Sequence, residues 1–213
     1  MTIQVKICGL NSPEAVEAAV GGGADYVGFV FFAKSPRFVT SPIAAELSSL
    51  AGSEIRKVGL VVNADDGELD EIVGVAKPDM LQLHGKESPK RVSEIRANFG
   101  LPVIKAISIG SAGDVVRSHA YEKAADMLLF DAKPPEASNL PGGNAVSFDW
   151  HLLAADSWEI PWMLAGGLDA TNVRDAAEQS GARAVDVSSG VEDSPGVKNS
   201  GKIAEFLKIA KKI

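Results

Sequence analysis

Two side chains in this sequence combine acid–base chemistry with a position at the end of an apolar run. Cys8, the only cysteine among 213 residues, follows the run Ile3–Ile7 and precedes the turn-like stretch 9–12. Asp131 follows the run Met127–Phe130 in the same way. A thiolate can act as a general base, and a protonated carboxyl group can act as a general acid. If both runs are strands of one parallel barrel, the two side chains face the same mouth of that barrel.

Each of the two residues also has an ordinary structural interpretation. Free cysteines are usually buried and inert, and an aspartate after a strand is often solvated or caps a helix. Alternation along the first run turns Gln4, Lys6 and Cys8 to the face opposite Val5, so Lys6 and Cys8 are predicted to point into the barrel. A lysine one layer below would lower the pKa of the thiol from about 8.5 toward working pH. A partly desolvated Asp131 would keep its proton and serve as the acid.

The elements that must position these residues recur along the whole chain. Short β-branched runs alternate with helical patterns, which is typical of parallel βαβ units. Three of the helices are predicted to begin at Ser-Pro pairs, with Ser12, Ser41 and Ser88 as the capping residues. Eight strands are predicted, each followed by a helix: Ile3–Cys8, Tyr26–Phe32, Lys57–Asn63, Met80–His84, Val103–Ser108, Met127–Asp131, Pro161–Ala165 and Ala184–Ser188. We therefore predict an α/β fold, a single (β/α)8 TIM barrel, as one domain over residues 1–213.

The connection after Asp131 is unusually long for a compact barrel. Residues 132–147 contain Pro134, Pro135 and Pro141 followed by Gly142 and Gly143. Loops of this length without structure of their own are more often functional than accidental. Because the loop directly follows the predicted acid, we predict an active-site lid over residues 132–147.

The last two strands are followed by glycine and serine residues that suit an anion. Gly166 and Gly167 follow the seventh strand, and Ser188, Ser189 and Gly190 follow the eighth. β/α barrels commonly bind phosphate at these two loops. Glycines let backbone amides approach an anion, and a helical turn from Ser189 would direct its N–H groups at the same point. Either element alone could be an ordinary turn, but together they predict a phosphate site.

Two further polar residues are candidates for the same mouth. Arg37, in the loop after the second strand, could bind a substrate carboxylate through its planar guanidinium, although an exposed arginine is usually only solvated. His84 ends the fourth strand and is either part of the site or a hydrogen-bonded support. The three histidines, His84, His119 and His151, lack metal-ligand spacing, so no metal is expected.

Strand alternation also predicts an ion pair inside the barrel. Val185 and Val187 should face the helices, which turns Asp186 inward. Because barrel closure makes the eighth strand a neighbour of the first, Asp186 is predicted to pair with Lys6. The pair would offset the cost of burying either charge alone, and its lysine would favour a thiolate at Cys8.

Composition excludes some classes of partner. The formal net charge of −7, without a basic stripe, disfavours nucleic acid and acidic membrane surfaces. There is no signal-type leader and no apolar run of membrane-spanning length, and one cysteine cannot form an internal disulfide. We expect a cytoplasmic monomer or homodimer that binds a small phosphorylated molecule.

Several short motifs, in order along the whole chain, resemble one family. They are Lys6-Ile7-Cys8-Gly9, the stretch Phe29 to Arg37 ending Lys-Ser-Pro-Arg, Leu81-Gln82-Leu83-His84-Gly85, Phe130-Asp131-Ala132-Lys133, Ser147-Phe148-Asp149-Trp150, Ala165-Gly166-Gly167-Leu168 and Val185-Asp186-Val187-Ser188-Ser189-Gly190. Together they are similar to phosphoribosylanthranilate isomerase of tryptophan biosynthesis. The resemblance implies that Cys8 is the general base, Asp131 the general acid and Arg37 the contact of the anthranilate carboxylate. It also implies that the glycine and serine loops bind phosphate. Ala145 departs from the family, which usually carries a glycine there, so a positive φ at that point would be strained.

The implied reaction, an Amadori rearrangement, needs one acid and one base. Protonation of the ring oxygen opens the ribosylamine to an iminium, and removal of the C2′ proton then gives an enolamine that becomes the ketone. Asp131 can supply the first proton and Cys8 can accept the second. No redox step occurs, so no cofactor is expected.

Three alternative functions compete with this interpretation. A metal-dependent pentose-phosphate epimerase would need clustered metal ligands, and an indole-glycerol-phosphate synthase would need a Lys/Glu catalytic set and an N-terminal extension. A non-catalytic phosphosugar-binding barrel would have no use for both Cys8 and Asp131.

Overall fold

Eight parallel strands close into a barrel in the computed structural model, which describes residues 2–134, 142–143 and 147–213. Each strand is hydrogen-bonded to the next, and the eighth is bonded to the first. The strands are β1 (Gln4–Cys8), β2 (Tyr26–Val30), β3 (Arg56–Val61), β4 (Met80–Leu83), β5 (Val103–Ile109), β6 (Met127–Ala132), β7 (Trp162–Leu164) and β8 (Ala184–Val187). The predicted (β/α)8 fold is confirmed, and the strand ends lie within one or two residues of the predicted ones.

Helices follow the strands around the outside of the barrel. They are α1 (Pro13–Gly21), α2 (Ser41–Leu50), α3 (Asp66–Glu71), α4 (Pro89–Phe99), α5 (Ala112–Ser118), α6 (His151–Ala154), α7 (Val173–Ser180) and α8 (Ser200–Ala210). Between β8 and α8 the chain adds a 3-10 turn at Ser189–Val191. A small antiparallel hairpin follows, β9 (Glu192–Ser194) and β10 (Val197–Lys198), and this hairpin was not predicted from the sequence. Within the described ranges, no helix has the length and apolar composition that a membrane crossing requires.

The predicted Ser-Pro helix starts are right at two positions and wrong at one. Ser12 and Ser88 cap α1 and α4, their hydroxyls accepting backbone N–H groups at 3.3 and 3.2 Å. At α2, however, Thr40 is the capping position and Ser41 is the first helical residue. Proline is harmless here as well, because the first turn of a helix leaves its N–H groups without intrahelical acceptors.

Two apolar layers stabilise the barrel. Strand residues such as Tyr26, Ile104 and Met163 fill its interior, while Val5 and Ile7 pack in the larger layer between strands and helices. Burial of each such side chain contributes about 1.5–3 kcal/mol. Because Val5 and Ile7 face outward, the intervening side chains of β1 face inward, as the alternation predicted.

Candidate active site

One pocket lies at the carboxyl ends of the strands, where barrels of this kind place their sites. It is lined by residues from distant parts of the chain. They include Cys8, Arg37, His84, Asp131, Gly142, Gly143, Gly166, Gly167, Asp186, Ser188 and Ser189. Nearly all of the predicted site residues therefore meet in one place. Two do not line it: Lys6 lies beneath, fully buried, and Gly190 packs against the loop after β7, where an added Cβ would lie 1.9 Å from the Leu168 carbonyl oxygen.

The thiol of Cys8 lies at the end of β1 and is almost fully buried. Two glycines make room for this arrangement. Gly9, with φ of +75°, turns the chain directly after Cys8, and at Gly28 an added Cβ would lie 2.9 Å from Cys8 Sγ and 3.1 Å from Lys6 Nζ. Cys8 Sγ and Lys6 Nζ therefore both lie against Gly28 of β2.

Burial raises the pKa of Cys8, and the nearby charge of Lys6 opposes that shift only in part. The predicted lowering of this pKa is therefore wrong. The physical reason is that loss of solvation outweighs the attraction of the Lys6 and Lys198 ammonium groups, and the carboxylate of Asp186 adds a further rise. At neutral pH the thiol is mostly protonated.

The predicted ion pair inside the barrel is confirmed. Lys6 and Asp186 are register partners across β1 and β8, and Lys6 Nζ donates to Asp186 Oδ1 at 2.9 Å. Burial by itself would lower the pKa of Lys6, but the charges and hydrogen bonds of Asp186 and Cys8 together outweigh that effect and raise it. Lys6 is therefore a cation next to Cys8 at neutral pH.

Asp131 lies across the pocket from Cys8, at the end of β6, and contacts a histidine. Its Oδ1 accepts the backbone N–H of Ala132 at 2.8 Å, and its Oδ2 lies 3.3 Å from His84 Nε2. On the other side of the ring, His84 Nδ1 lies 3.0 Å from the side-chain nitrogen of Gln82. The two ring nitrogens of His84 therefore face Gln82 and Asp131.

Gln82 is a supporting residue that the sequence analysis missed. It is fully buried and lies two positions before His84 on the same face of β4. That spacing is the feature from which it could have been found. Gly142 faces this group, since an added Cβ there would lie 2.6 Å from both Asp131 Oδ2 and His84 Nε2.

Arg37 is buried and paired, not exposed as a solvated arginine would be. Its Nε and Nη2 donate to the two carboxylate oxygens of Glu192 at 2.7 and 2.8 Å. Nη2 also reaches the carbonyl oxygen of Gly143 at 3.4 Å, at the pocket. The guanidinium group of Arg37 is thereby fixed in one orientation. Glu192 was not foreseen, because it is 155 positions away and belongs to the unpredicted hairpin.

The two loops predicted to bind phosphate lie side by side. Gly166 and Gly167 both have positive φ, +91° and +64°, which favours glycine. A Cβ on Gly166 would lie 2.6 Å from the backbone nitrogen of Ala132. The 3-10 turn begins at Ser189, as predicted. Lys198, which the sequence analysis also missed, donates to the carbonyl oxygen of Ser188 at 2.9 Å and to its hydroxyl at 3.2 Å.

Most of the predicted lid lies outside the described residues. Of the segment 132–147, residues 135–141 and 144–146, with Ala145 among them, are not described. Gly142 and Gly143 are described and line the pocket. The lid itself stays a prediction.

The fold and this pocket define a class of protein: a (β/α)8 barrel with a thiol, a carboxyl group, a fixed arginine and two glycine and serine loops at one mouth. In the parts of the chain that the structure describes, no group of three or more histidine, cysteine or carboxylate side chains could hold a metal ion.

Comparison with known proteins identifies the family. The family model of N-(5'phosphoribosyl)anthranilate (PRA) isomerase matches residues 5–209, and the chain belongs to this family. It is 53% identical over 211 residues to the N-(5'-phosphoribosyl)anthranilate isomerase of Paramagnetospirillum magneticum, covering 99% of this chain and 98% of that one.

Solved structures agree with this assignment. The phosphoribosyl anthranilate isomerase of Thermotoga maritima superposes with a TM-score of 0.89 at 34% identity, covering 99% of this chain and 100% of that one. A second structure of a phosphoribosyl anthranilate isomerase, in complex with reduced 1-(o-carboxyphenylamino)-1-deoxyribulose 5-phosphate, has a TM-score of 0.86 at 32% identity and the same coverage.

Proposed function

We propose that this chain converts N-(5'-phosphoribosyl)anthranilate to 1-(o-carboxyphenylamino)-1-deoxyribulose 5-phosphate, an Amadori rearrangement in tryptophan biosynthesis. One observation carries the proposal: Cys8 and Asp131, from β1 and β6, line a single pocket together with Arg37 and the two glycine and serine loops. The relatives' names and the ligand bound by one solved relative support the same reaction.

Asp131 is the proposed general acid. Its carboxyl group would donate a proton to the ribose ring oxygen, which opens the ring and leaves a positive iminium. His84 at 3.3 Å and the Ala132 N–H at 2.8 Å limit the rotation of the carboxyl group. A fixed donor does not have to be reoriented as the transition state forms.

Cys8 is the proposed general base. Its thiolate would accept the C2′ proton, which the neighbouring iminium has made acidic, and the resulting enolamine then becomes the ketone. Because burial raises the pKa of the thiol, only a small fraction is thiolate at neutral pH. Lys6, paired with Asp186 and adjacent to Cys8, stabilises that fraction.

The two anionic groups of the substrate would be held by different residues of the pocket. Arg37 would bind the anthranilate carboxylate, and Gly166, Gly167, Ser188 and Ser189 would bind the phosphate through backbone amides and hydroxyls. Gly190 would act indirectly, by letting the two phosphate loops approach each other. The loop 132–147 would cover the bound substrate.

The direct test is turnover by the purified protein. N-(5'-phosphoribosyl)anthranilate is made in situ, and its disappearance is followed with and without EDTA. We expect isomerisation without added metal or nucleotide and an unchanged rate in EDTA, since the two steps assigned to the protein are proton transfers by Asp131 and Cys8. Absence of turnover by a folded sample would reject the proposal, and loss of turnover on chelation would reject the metal-free mechanism.

A further inference from the structure

A buried ion-pair network joins Arg37 to the serine loop after β8, and neither the sequence motifs nor the proposed chemistry uses its central members. The side chain of Glu192 is only 3% exposed. Its Oε1 accepts from Arg37 Nε and from Lys198 Nζ, both at 2.7 Å, and its Oε2 accepts from Arg37 Nη2 at 2.8 Å. One carboxylate therefore bridges two cations that come from different parts of the chain.

Lys198 extends the network to the proposed phosphate loop. Besides Glu192, its ammonium donates to the carbonyl oxygen and the hydroxyl of Ser188. An ammonium has three hydrogens, and these three acceptors match them. We call the four residues Arg37, Glu192, Lys198 and Ser188 the Glu192 network. Through it, the side chains of Glu192 and Lys198 connect Arg37, the proposed carboxylate contact, to Ser188 in the proposed phosphate loop.

The hairpin between β8 and α8 places the two central residues side by side. Glu192 and Lys198 are register partners in β9 and β10. At the turn of the hairpin, Gly196 has a φ of +85°, and its Cβ position lies 2.4 Å from the carbonyl oxygen of Pro36. The turn is therefore packed against the residue that precedes Arg37. This contact needs glycine, both for its backbone conformation and for the close approach.

The charges of the network also suit a substrate with two anionic groups. Burial alone would raise the pKa of Glu192, but hydrogen bonds and charge from Arg37 and Lys198 hold it below its usual value. Burial lowers the pKa of Lys198, and the charge and hydrogen bond of Glu192 oppose that shift. With Lys198 protonated, Glu192 is an anion between two cations, and one positive charge is in excess. Without Glu192, two cations would remain buried and unpaired, which is costly, and both could move.

We propose that Glu192 and Lys198 are positioning residues that hold Arg37 and Ser188 at a fixed separation, so that the carboxylate and the phosphate of one substrate are bound together. The identity of that substrate rests on the proposed function. Neither Glu192 nor Lys198 is proposed to touch the reacting atoms. Carboxylate and phosphate do not change charge during the rearrangement, so their contacts stabilise the ground state and the transition state alike. Loss of the network should raise KM and leave kcat nearly unchanged.

The test compares Glu192→Gln with the wild-type protein in steady-state kinetics and in inhibition by inorganic phosphate. We expect KM to rise about tenfold or more with kcat within about threefold, which is the pattern of lost uniform binding. We also expect the inhibition constant of phosphate to rise at least about threefold, as for a lost charge-assisted contact. The phosphate effect is diagnostic, because Glu192 reaches Ser188 only through Lys198.

Two further variants sharpen the comparison. Lys202→Met is the matched control, since Lys202 contacts the backbone oxygen of Glu192 at 2.7 Å and pairs with Asp193 on the same hairpin, outside the network. It should leave KM and phosphate inhibition unchanged. In a double-mutant cycle, Glu192→Gln with Lys198→Met should be no worse than the more severe single variant, because both remove the same connection.

The outcomes separate this proposal from the proposed function. If the wild-type protein does not isomerise the substrate, the proposed function fails, and phosphate binding measured by calorimetry still tests the network. If turnover occurs but a folded Glu192→Gln protein has unchanged KM and phosphate inhibition, the network proposal is overturned and the function stands. Additive effects in the cycle, or no phosphate binding by the wild-type protein, would also overturn it. Glu192→Asp keeps the charge but is too short for both cations, so it decides the question if Glu192→Gln does not fold.

Discussion

Replacement of Lys6 by methionine tests the ion pair beneath the pocket and its effect on Cys8 in one variant. Lys6 is fully buried, and Asp186 is its ion-pair partner at 2.9 Å. Methionine has a similar length and no charge, so the change removes the ammonium with little loss of volume. The variant leaves the carboxylate of Asp186 buried without its cation.

The expected cost to stability follows from that unpaired carboxylate. Removing one partner of a buried ion pair typically costs about 3–5 kcal/mol, a large part of the roughly 5–15 kcal/mol that stabilises a domain. For a chain of this size the melting temperature should fall by about 6–20 °C. The folded-state pKa of Lys6 is raised, so the pair stabilises the wild-type protein below the unfolded pKa of about 10.4 and loses its effect as pH rises through the folded value. The deficit of the variant should therefore be constant from neutral pH to about pH 10 and shrink above it.

Activity should respond in a second, independent way. The ammonium of Lys6 lowers the pKa of Cys8 against the larger effect of burial. Without it, the rise of kcat/KM with pH that reflects deprotonation of Cys8 should move to higher pH, and kcat at neutral pH should fall by less than the roughly hundredfold to ten-thousandfold cost of removing a general base.

The assay pairs urea unfolding, from pH 7 to 10, with a pH profile of kcat/KM. Lys6→Met with Asp186→Asn is the matched control for stability, because it leaves no charge unpaired and should regain part of the lost free energy. If the Lys6→Met protein had unchanged stability and an unchanged pH profile, neither the stabilising role of the Lys6–Asp186 pair nor the effect of Lys6 on the Cys8 thiolate would hold.

Two further predictions concern the thiol and a histidine away from the pocket. Gly28→Ala would place a Cβ 2.9 Å from Cys8 Sγ and 3.1 Å from Lys6 Nζ, so it should cost about 1–3 kcal/mol of stability, measured by urea unfolding, and lower kcat, measured by steady-state assay. His119 Nε2 lies 3.2 Å from Asp156 Oδ2. The hydrogen bond to Asp156 is the largest of the effects that raise the pKa of His119, and the contact with Glu122 adds to it. The stabilisation is present below about pH 6.5 and is lost as pH rises through the folded value, so His119→Gln should cost more at pH 5 than at pH 9 in thermal melts. Solvent screening should keep this cost below about 1 kcal/mol.

Each of these two variants has a clear contrary result. Gly21→Ala is the control for the first, because nothing lies within 4 Å of its Cβ position. If Gly28→Ala were as stable and active as that control, the close packing around the thiol would be unimportant. For His119→Gln, a stability difference that grows toward alkaline pH would contradict the assigned direction of the pKa shift.

The fold and one ion pair were predictable from the sequence because both follow from periodicity. Alternation along β1 and β8 gives the face of each side chain, and closure of the barrel makes the two strands neighbours. These two rules were sufficient to pair Lys6 with Asp186 across 180 positions of sequence. The positions of Cys8 and Asp131 at strand ends follow in the same way.

What the sequence did not reveal depends on tertiary contacts that no period describes. Glu192 and Lys198 belong to a short irregular hairpin, and nothing local marks them as partners of Arg37 or Ser188. The direction of the Cys8 pKa shift was wrong because alternation indicates which charges are near but not how completely the thiol is buried. Desolvation proved the larger effect.

The central claim is that Cys8 is the base of the rearrangement, and the turnover number of Cys8→Ala tests it most directly. Alanine removes the thiol and keeps the backbone of β1, so the fold and the proposed binding contacts remain. We predict a fall in kcat of about a hundredfold to ten-thousandfold, with KM changed only a few-fold, because the proton transfer belongs to the transition state. A folded Cys8→Ala protein with near-normal kcat would contradict the account and leave the thiol as a core residue.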